Sequence, residues 1–142
     1  MSRSNYTDDS ESNWQLIMWR GMVASAIRGK RGQQFLKDLL VALDAMPEKV
    51  LIAGELEQNG EVCAIGSLGR ARGVDMSKID PTEPEEVASA FGIAPCLAQE
   101  VVYENDEAAF RQETPQERWT RVRAWVAKQI KPSTKVAGLE GV

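Results

Sequence analysis

The chain predicts a helix-rich α+β fold, a single domain with a helical hairpin, one β-hairpin and a C-terminal helix. Three observations carry that expectation. Apolar residues recur at helical spacing in several stretches, a β-rich segment with an Asn-Gly turn interrupts them, and proline or glycine stands at most joints. With 142 residues, 43% of them hydrophobic and 27% charged, the chain is about one domain long and needs no disulfide staple to build a core.

Ser12-Asn13-Trp14-Gln15 has the S-x-x-Q form of a capping box. It opens a first helix, running to about Arg28, on which Trp14, Ile17, Met18, Gly21 and Ser25 recur at helical spacing. Arg28-Gly29-Lys30-Arg31-Gly32 reads as a break. Beyond it Phe35, Leu36, Leu39, Leu40, Leu43 and Met46 form a wide apolar stripe ended by Pro47, which completes the helical hairpin. The pattern then turns β-rich at Val50-Leu51-Ile52 and Val62-Cys63-Ala64-Ile65, with Asn59-Gly60 as a two-residue hairpin turn between them. That register sets Leu56 opposite Cys63 and Gly54 opposite Ile65 on a buried face, and Glu55 and Glu57 against Ala64 and Val62 on a wet one. A two-stranded ribbon is marginal alone, so it must pack on the helices or pair with the edge of another chain.

Asp80-Pro81-Thr82-Glu83-Pro84 is turn chemistry feeding a helix through Ala90. Phe91-Gly92-Ile93 breaks it before a helix from about Pro95 to Tyr103, a tight helix-turn-helix. Thr114-Pro115-Gln116-Glu117 supplies cap, first-turn proline and capping-box acid in order, and Trp119, Val122, Val126 and Ile130 mark the last buried face before Lys131-Pro132. The expected organisation is a flexible N-terminus over residues 1–12, one globular domain over 13–131 and a flexible tail over 132–142.

The chain contains no histidine, which removes the residue on which most acid/base, triad and catalytic zinc chemistry depends. Cys63 and Cys96 lie far apart with no CxxC, so they read as two reduced, buried thiols rather than a metal or redox pair. Glu104-Asn105-Asp106-Glu107 is the densest oxygen cluster, but no calcium-loop spacing or second acidic motif completes a metal site around it. A non-enzyme with no cofactor, no metal and no catalytic residue is the expectation. No stretch approaches the roughly 20 apolar residues of a membrane span, and the polar, acid-leaning first residues are unlike a secretory signal. The expected setting is cytoplasmic, without membrane contact.

Charge is segregated beneath a net −4. From Trp14 to Lys37, up to Asp38, the only charged residues are Arg20, Arg28, Lys30, Arg31 and Lys37; from Ile79 to Phe110 they are Asp80, Glu83, Glu85, Glu86, Glu100, Glu104, Asp106 and Glu107. Either the blocks neutralise one another as surface pairs, or they face partners of opposite sign. The protein-contact candidates are the acids Glu83, Glu86, Glu100, Glu104, Asp106 and Glu107, with Trp19 and Trp125 as aromatic anchors. The phosphate-contact candidates are Arg28, Lys30 and Arg31 on the helix connection and Arg70 and Arg72 on a glycine-rich loop, Gly66 to Gly73, after a strand. That loop lacks the GK[ST] ending of a phosphate loop. Glu86 to Ala98 has the skeleton of a DNA-binding helix-turn-helix, yet its second helix offers Gln99 alone to a base edge and is otherwise acidic, so a packing or protein-binding role fits it better.

Trp19-Arg20-Gly21, Arg28 to Gln33, Leu43 to Lys49, Gly60 to Ile65, Gly69 to Gly73 and Tyr103 to Glu107 resemble a family of small uncharacterised proteins of bacteriophages and prophage-bearing bacterial genomes, over about Trp14 to Ile130. The resemblance implies a bacterial host cell and brings no activity with it. Phage accessory proteins of this size often bind host proteins, defence nucleases among them. The leading expectation is therefore a phage-associated accessory protein that works by protein–protein contact with a host or phage protein, inhibition of a nucleic-acid-binding or defence protein being one form of such contact. The alternative is a nucleic-acid-binding accessory protein that contacts phosphates through the basic loops. A homodimer stays open.

Overall fold

The computed structural model describes residues 3–4, 13–109 and 112–132. Six helices and one small antiparallel ribbon make a helix-rich α+β arrangement: α1 (Asn13–Arg28), α2 (Lys30–Ala45), β1 (Glu57–Gln58), β2 (Glu61–Val62), α3 (Ala64–Arg72), a 3-10 turn (Met76–Lys78), α4 (Pro84–Phe91), α5 (Pro95–Asp106) and α6 (Pro115–Gln129). Ser12, the expected cap of α1, and the expected tail beyond Pro132 lie outside the described residues.

The apolar stripe of α2 is the centre of the core. Phe35, Leu36, Leu39 and Leu43 are buried and meet Leu51, Ile65, Leu68, Leu97, Val101, Val122 and Val126. α2 packs on α3 and α6, α5 on α1, α3, α4 and α6. The break before α2 is narrower than the Arg28–Gly32 stretch the sequence suggests: Gly29 alone interrupts the helices, and Lys30, Arg31 and Gly32 form the first turn of α2. Gly32 is there because the helices touch, since a Cβ on it would lie 1.9 Å from the Ala26 carbonyl oxygen. Gln33 closes the joint. Its amide nitrogen donates to the carbonyls of Ile27 (2.8 Å) and Gln129 (3.1 Å), and its oxygen accepts from the Lys131 N–H (2.8 Å).

Asn59-Gly60 makes the expected turn, both residues at positive φ, and the register pairs Glu57 with Val62 as expected. The ribbon is much shorter than expected. Val50-Leu51-Ile52 contributes a single bond to β2, Ile52 N–H to the Val62 carbonyl, and the chain leaves the strand after Val62. Cys63 caps α3, its Sγ accepting from the Gly66 N–H. The expected strand over Val62–Ile65 and the glycine-rich loop over Gly66–Gly73 are thus a helix, and Val62, assigned to a wet face, is buried with Cys63. The glycines serve packing: a Cβ on Gly66 would lie 1.9 Å from the Leu56 carbonyl oxygen, and one on Gly69 2.7 Å from Met76 Sδ. Gly73 ends the helix in the left-handed region (φ 72°).

α4 and α5 form the expected helix-turn-helix about Gly92 (φ 71°), with Ala88, Ile93, Leu97 and Ala98 buried at the joint. α6 starts on the complete capping box of Thr114 and Glu117. Arg3 and Ser4, expected in a flexible terminus, are buried against α5.

Candidate interaction surfaces

The acidic block divides into two parts. Its end on α5 is consumed inside the fold. Asp106 holds the buried Arg3 guanidinium through both carboxylate oxygens (2.5 and 2.8 Å), and Glu107 accepts from the Ser4 hydroxyl. Burial alone would push the Asp106 carboxyl up, but the Arg3 guanidinium, the Asn105 amide and the Gly54 N–H hold it below the ordinary carboxylate value. Arg121 lies between Glu113 (2.7 Å) and Glu104 (3.8 Å), and Arg118 adds a contact to Glu113 (3.4 Å). Burial, then the neighbouring Glu100, push the Glu104 carboxyl up against the pull of Arg121. Buried Asn105 sits among these charges and fastens three segments. Its oxygen accepts from the Ala64 N–H, and its nitrogen donates to the Ile52 carbonyl and to Asp106. Glu104, Asp106 and Glu107 are therefore partners within the fold, whereas Glu83 and Glu86 stay exposed on α4, Glu86 accepting from the Asp80 N–H. Glu100 is half-buried and engaged.

The basic candidates separate in the same way. Arg70 on α3 is tied to Glu57 and to the Gly60 carbonyl, and Arg72 to Asp38 and the Phe91 carbonyl. The backbone N–H groups that a glycine loop would turn toward an anion are spent within the helix. Arg20, Arg28, Lys30, Arg31 and Lys37 differ: all are exposed, and none has an ion pair among the described residues. Lys30 and Arg31 occupy the first turn of α2, where no acid offsets the positive end of the helix dipole.

Among the tryptophans, Trp125 and Trp119 lean on the core, and the Trp119 indole donates to the Leu43 carbonyl beneath Lys49. Trp19 is half-buried. The exposed one is Trp14, at 68%, and it does not stand alone: Ile17 is 62% exposed, and Met18 and Met22 53% each. Trp14, Ile17, Met18, Gly21 and Ser25 have the helical spacing read from the sequence, but that stripe faces outward. The inward stripe is the other one, with Val23 buried and Ala26 and Ile27 packed on the core. The signal that marks the outer face in the sequence is a helix apolar on two sides and free of acids, since one stripe is enough to dock a surface helix.

A groove of about 540 Å³ opens between the C-terminal end of α2, the ribbon and α3, with Ala42, Met46, Val50 and Val62 as apolar walls and Arg70 at the rim. Among the described residues no group of three or more His, Cys, Asp or Glu is placed to hold a metal ion, and no helix is long and apolar enough to cross a membrane. Cys63 and Cys96 are free and buried. Comparison with family models, curated proteins and solved structures finds no match to this chain.

Proposed function

We propose that this is a non-catalytic accessory protein of phage or prophage type that acts by protein–protein contact in a bacterial host cell, inhibition of a defence or nucleic-acid-binding protein being one such action. One observation carries the reading: the outer face of α1 presents Trp14, Ile17, Met18 and Met22 to solvent in one helical track. Contiguous apolar surface led by tryptophan is the composition of binding hot spots, and helical i, i+3, i+4 anchors are how helices seat on partners. The contact surface thus moves from the acids of α5 to α1. Charge reversal at Glu104 would strike the Arg121 cluster rather than an interface, so the discriminating change is Ile17→Glu, on an exposed residue. A photo-crosslinker at Met22 should trap one protein of the host lysate, and Ile17→Glu should abolish the adduct with the fold intact by circular dichroism. No adduct, or one indifferent to Ile17→Glu, sinks the reading.

A second reading, nucleic-acid binding, is favoured by the unpaired exposed cluster Arg28, Lys30, Arg31 and Lys37. Fluorescence anisotropy with double- and single-stranded DNA and RNA tests it. Binding whose log affinity falls with log salt at a slope of several phosphates, and which Arg28→Glu with Arg31→Glu removes, supports it. Absence of binding at low salt ends it.

A further inference from the structure

We infer that the outer face of α1 is occupied by a second copy of the chain, two α1 helices packing antiparallel about a twofold axis at Gly21. The inference rests on the reading of α1 as a contact surface and names its first partner. Gly21 lies at the middle of the exposed track, with nothing within 4 Å of where its Cβ would be. Bulk is distributed unevenly about it. The N-terminal half of the track carries Trp14, Ile17 and Met18, and the C-terminal half Met22 at its edge and then the smaller Ala24 and Ser25 before Arg28. Core positions 14, 18, 21, 25 and 28 step by four and three, the spacing of a helix–helix seam. In an antiparallel pair centred on Gly21, Met18 opposes Ser25 of the second copy, Ile17 opposes Ala24 and Trp14 opposes Arg28. Met18 and Ile17 each meet a small side chain, and the Arg28 cation meets the Trp14 ring. A twofold interface needs such self-complementarity, in which residue i meets j and j meets i. A parallel pair would instead set Trp14 on Trp14 and Arg28 on Arg28.

Charge is compatible with the same occupant. The track has no acid, but antiparallel pairing places the two Arg28 side chains at opposite ends, 14 residues of helix or about 21 Å apart along the axis. The ribbon is a poorer site for self-association. The outer side of β2 is covered by the Ile52 N–H bond, and the remaining edge is a two-residue strand that starts with Glu57. The α1 seam is about 21 Å long and one helix wide, at the low end of specific interfaces, so association depends on concentration.

Analytical ultracentrifugation of the full chain over a concentration series should show conversion from 15.7 kDa to twice that mass, and Ile17→Glu should hold the protein at the monomer mass. Disulfide trapping reads the geometry. Met18→Cys mixed with Ser25→Cys should give a cross-linked dimer, mapped by peptide mass to those two positions, while each variant alone gives none. In the antiparallel pair, equivalent positions 18 lie about 9 Å apart along the axis and equivalent positions 25 about 12 Å, beyond disulfide reach. Both sites are exposed, so the variants leave the core untouched. A protein that remains monomeric overturns the inference. So does cross-linking of Met18→Cys alone, and so does a monomer that floats with phosphatidylcholine–phosphatidylglycerol vesicles, which assigns the face to a lipid surface. A monomer that still yields the Ile17-dependent lysate adduct retains the contact-surface reading and loses only the second copy.

Discussion

Two residues show how narrowly particular positions are specified. Gly66 is pressed against the Leu56 carbonyl, a backbone atom that cannot rotate away. Gly66→Ala should therefore lower stability by about 3 kcal/mol, at the upper end for overpacking, whereas Gly21→Ala, with open space around it, should raise the stability of the monomer by about 0.5–1 kcal/mol through helix propensity. Urea unfolding midpoints at low protein concentration check both. Asp106 is specified by charge. Its pKa in the folded chain lies below the unfolded value, so the contribution of the Arg3 pair is fully present above about pH 4 and is lost as pH falls through the lower, folded value. Asp106→Asn should flatten the acid limb of stability and cost about 2 kcal/mol at pH 7. Asn keeps an oxygen that can still accept from the Arg3 guanidinium, so the cost stays below the about 3–5 kcal/mol of removing one partner of a buried pair outright. Glu104 works in the opposite sense. Its raised pKa makes the ionised form a burden above that value, relieved as the pH drops through it. Neither carboxylate shows these traits in the sequence, where both belong to one acidic run. The difference is made by Arg3, 103 positions from Asp106, which pulls that carboxyl down, and by the burial of Glu104 beside Glu100, which Arg121 only partly offsets.

At the scale of elements, legibility follows how local the cause is. α6 is legible because its start signal is self-contained. Thr114 and Glu117 satisfy each other's backbone within one turn, and Thr114→Ala should cost about 1 kcal/mol, seen as a drop in Tm. The helix-turn-helix about Gly92 is legible for the same reason. α3 is not: Val62-Cys63-Ala64-Ile65 has strand composition, and Gly66 and Gly69 carry the lowest helix propensity short of proline. What makes it a helix is nonlocal. Asn105 receives the Ala64 N–H from α5, and Leu56, Met76 and Phe91 press where side chains would otherwise stand. Glycine here means proximity rather than a loop, and a spacing rule applied along the chain cannot tell these apart. α1 was half legible. Its helical period is plain in the sequence, but which of two apolar stripes turns inward depends on where α5 lies.

Across the whole molecule, the charge blocks seen in the sequence resolve into an acidic joint at the end of α5, neutralised by Arg3, Arg118 and Arg121, and a basic shoulder around Gly29 with no such counterpart among the described residues. Segregation along the chain is therefore a poor guide to the electrostatic surface, because α6 returns arginines to the acids from far off in sequence. The described core is dominated by α2, α3, α5 and α6, while α1 contributes Val23 alone as a buried apolar residue. Among the described residues the Gln33 amide ties the end of α1 to the end of α6, touching Ile27, Gln129 and Lys131 at once. That joint makes α1 a separable unit of local opening. In deuterium-exchange mass spectrometry, Gln33→Ala should accelerate labelling over residues 14–28 and leave the amides of α2, α3 and α5 as slow as before. A protein with this wiring can loosen one lightly buried helix, at the cost of its Val23, Ala26 and Ile27 contacts and the Gln33 bond to Ile27, and leave its scaffold closed throughout.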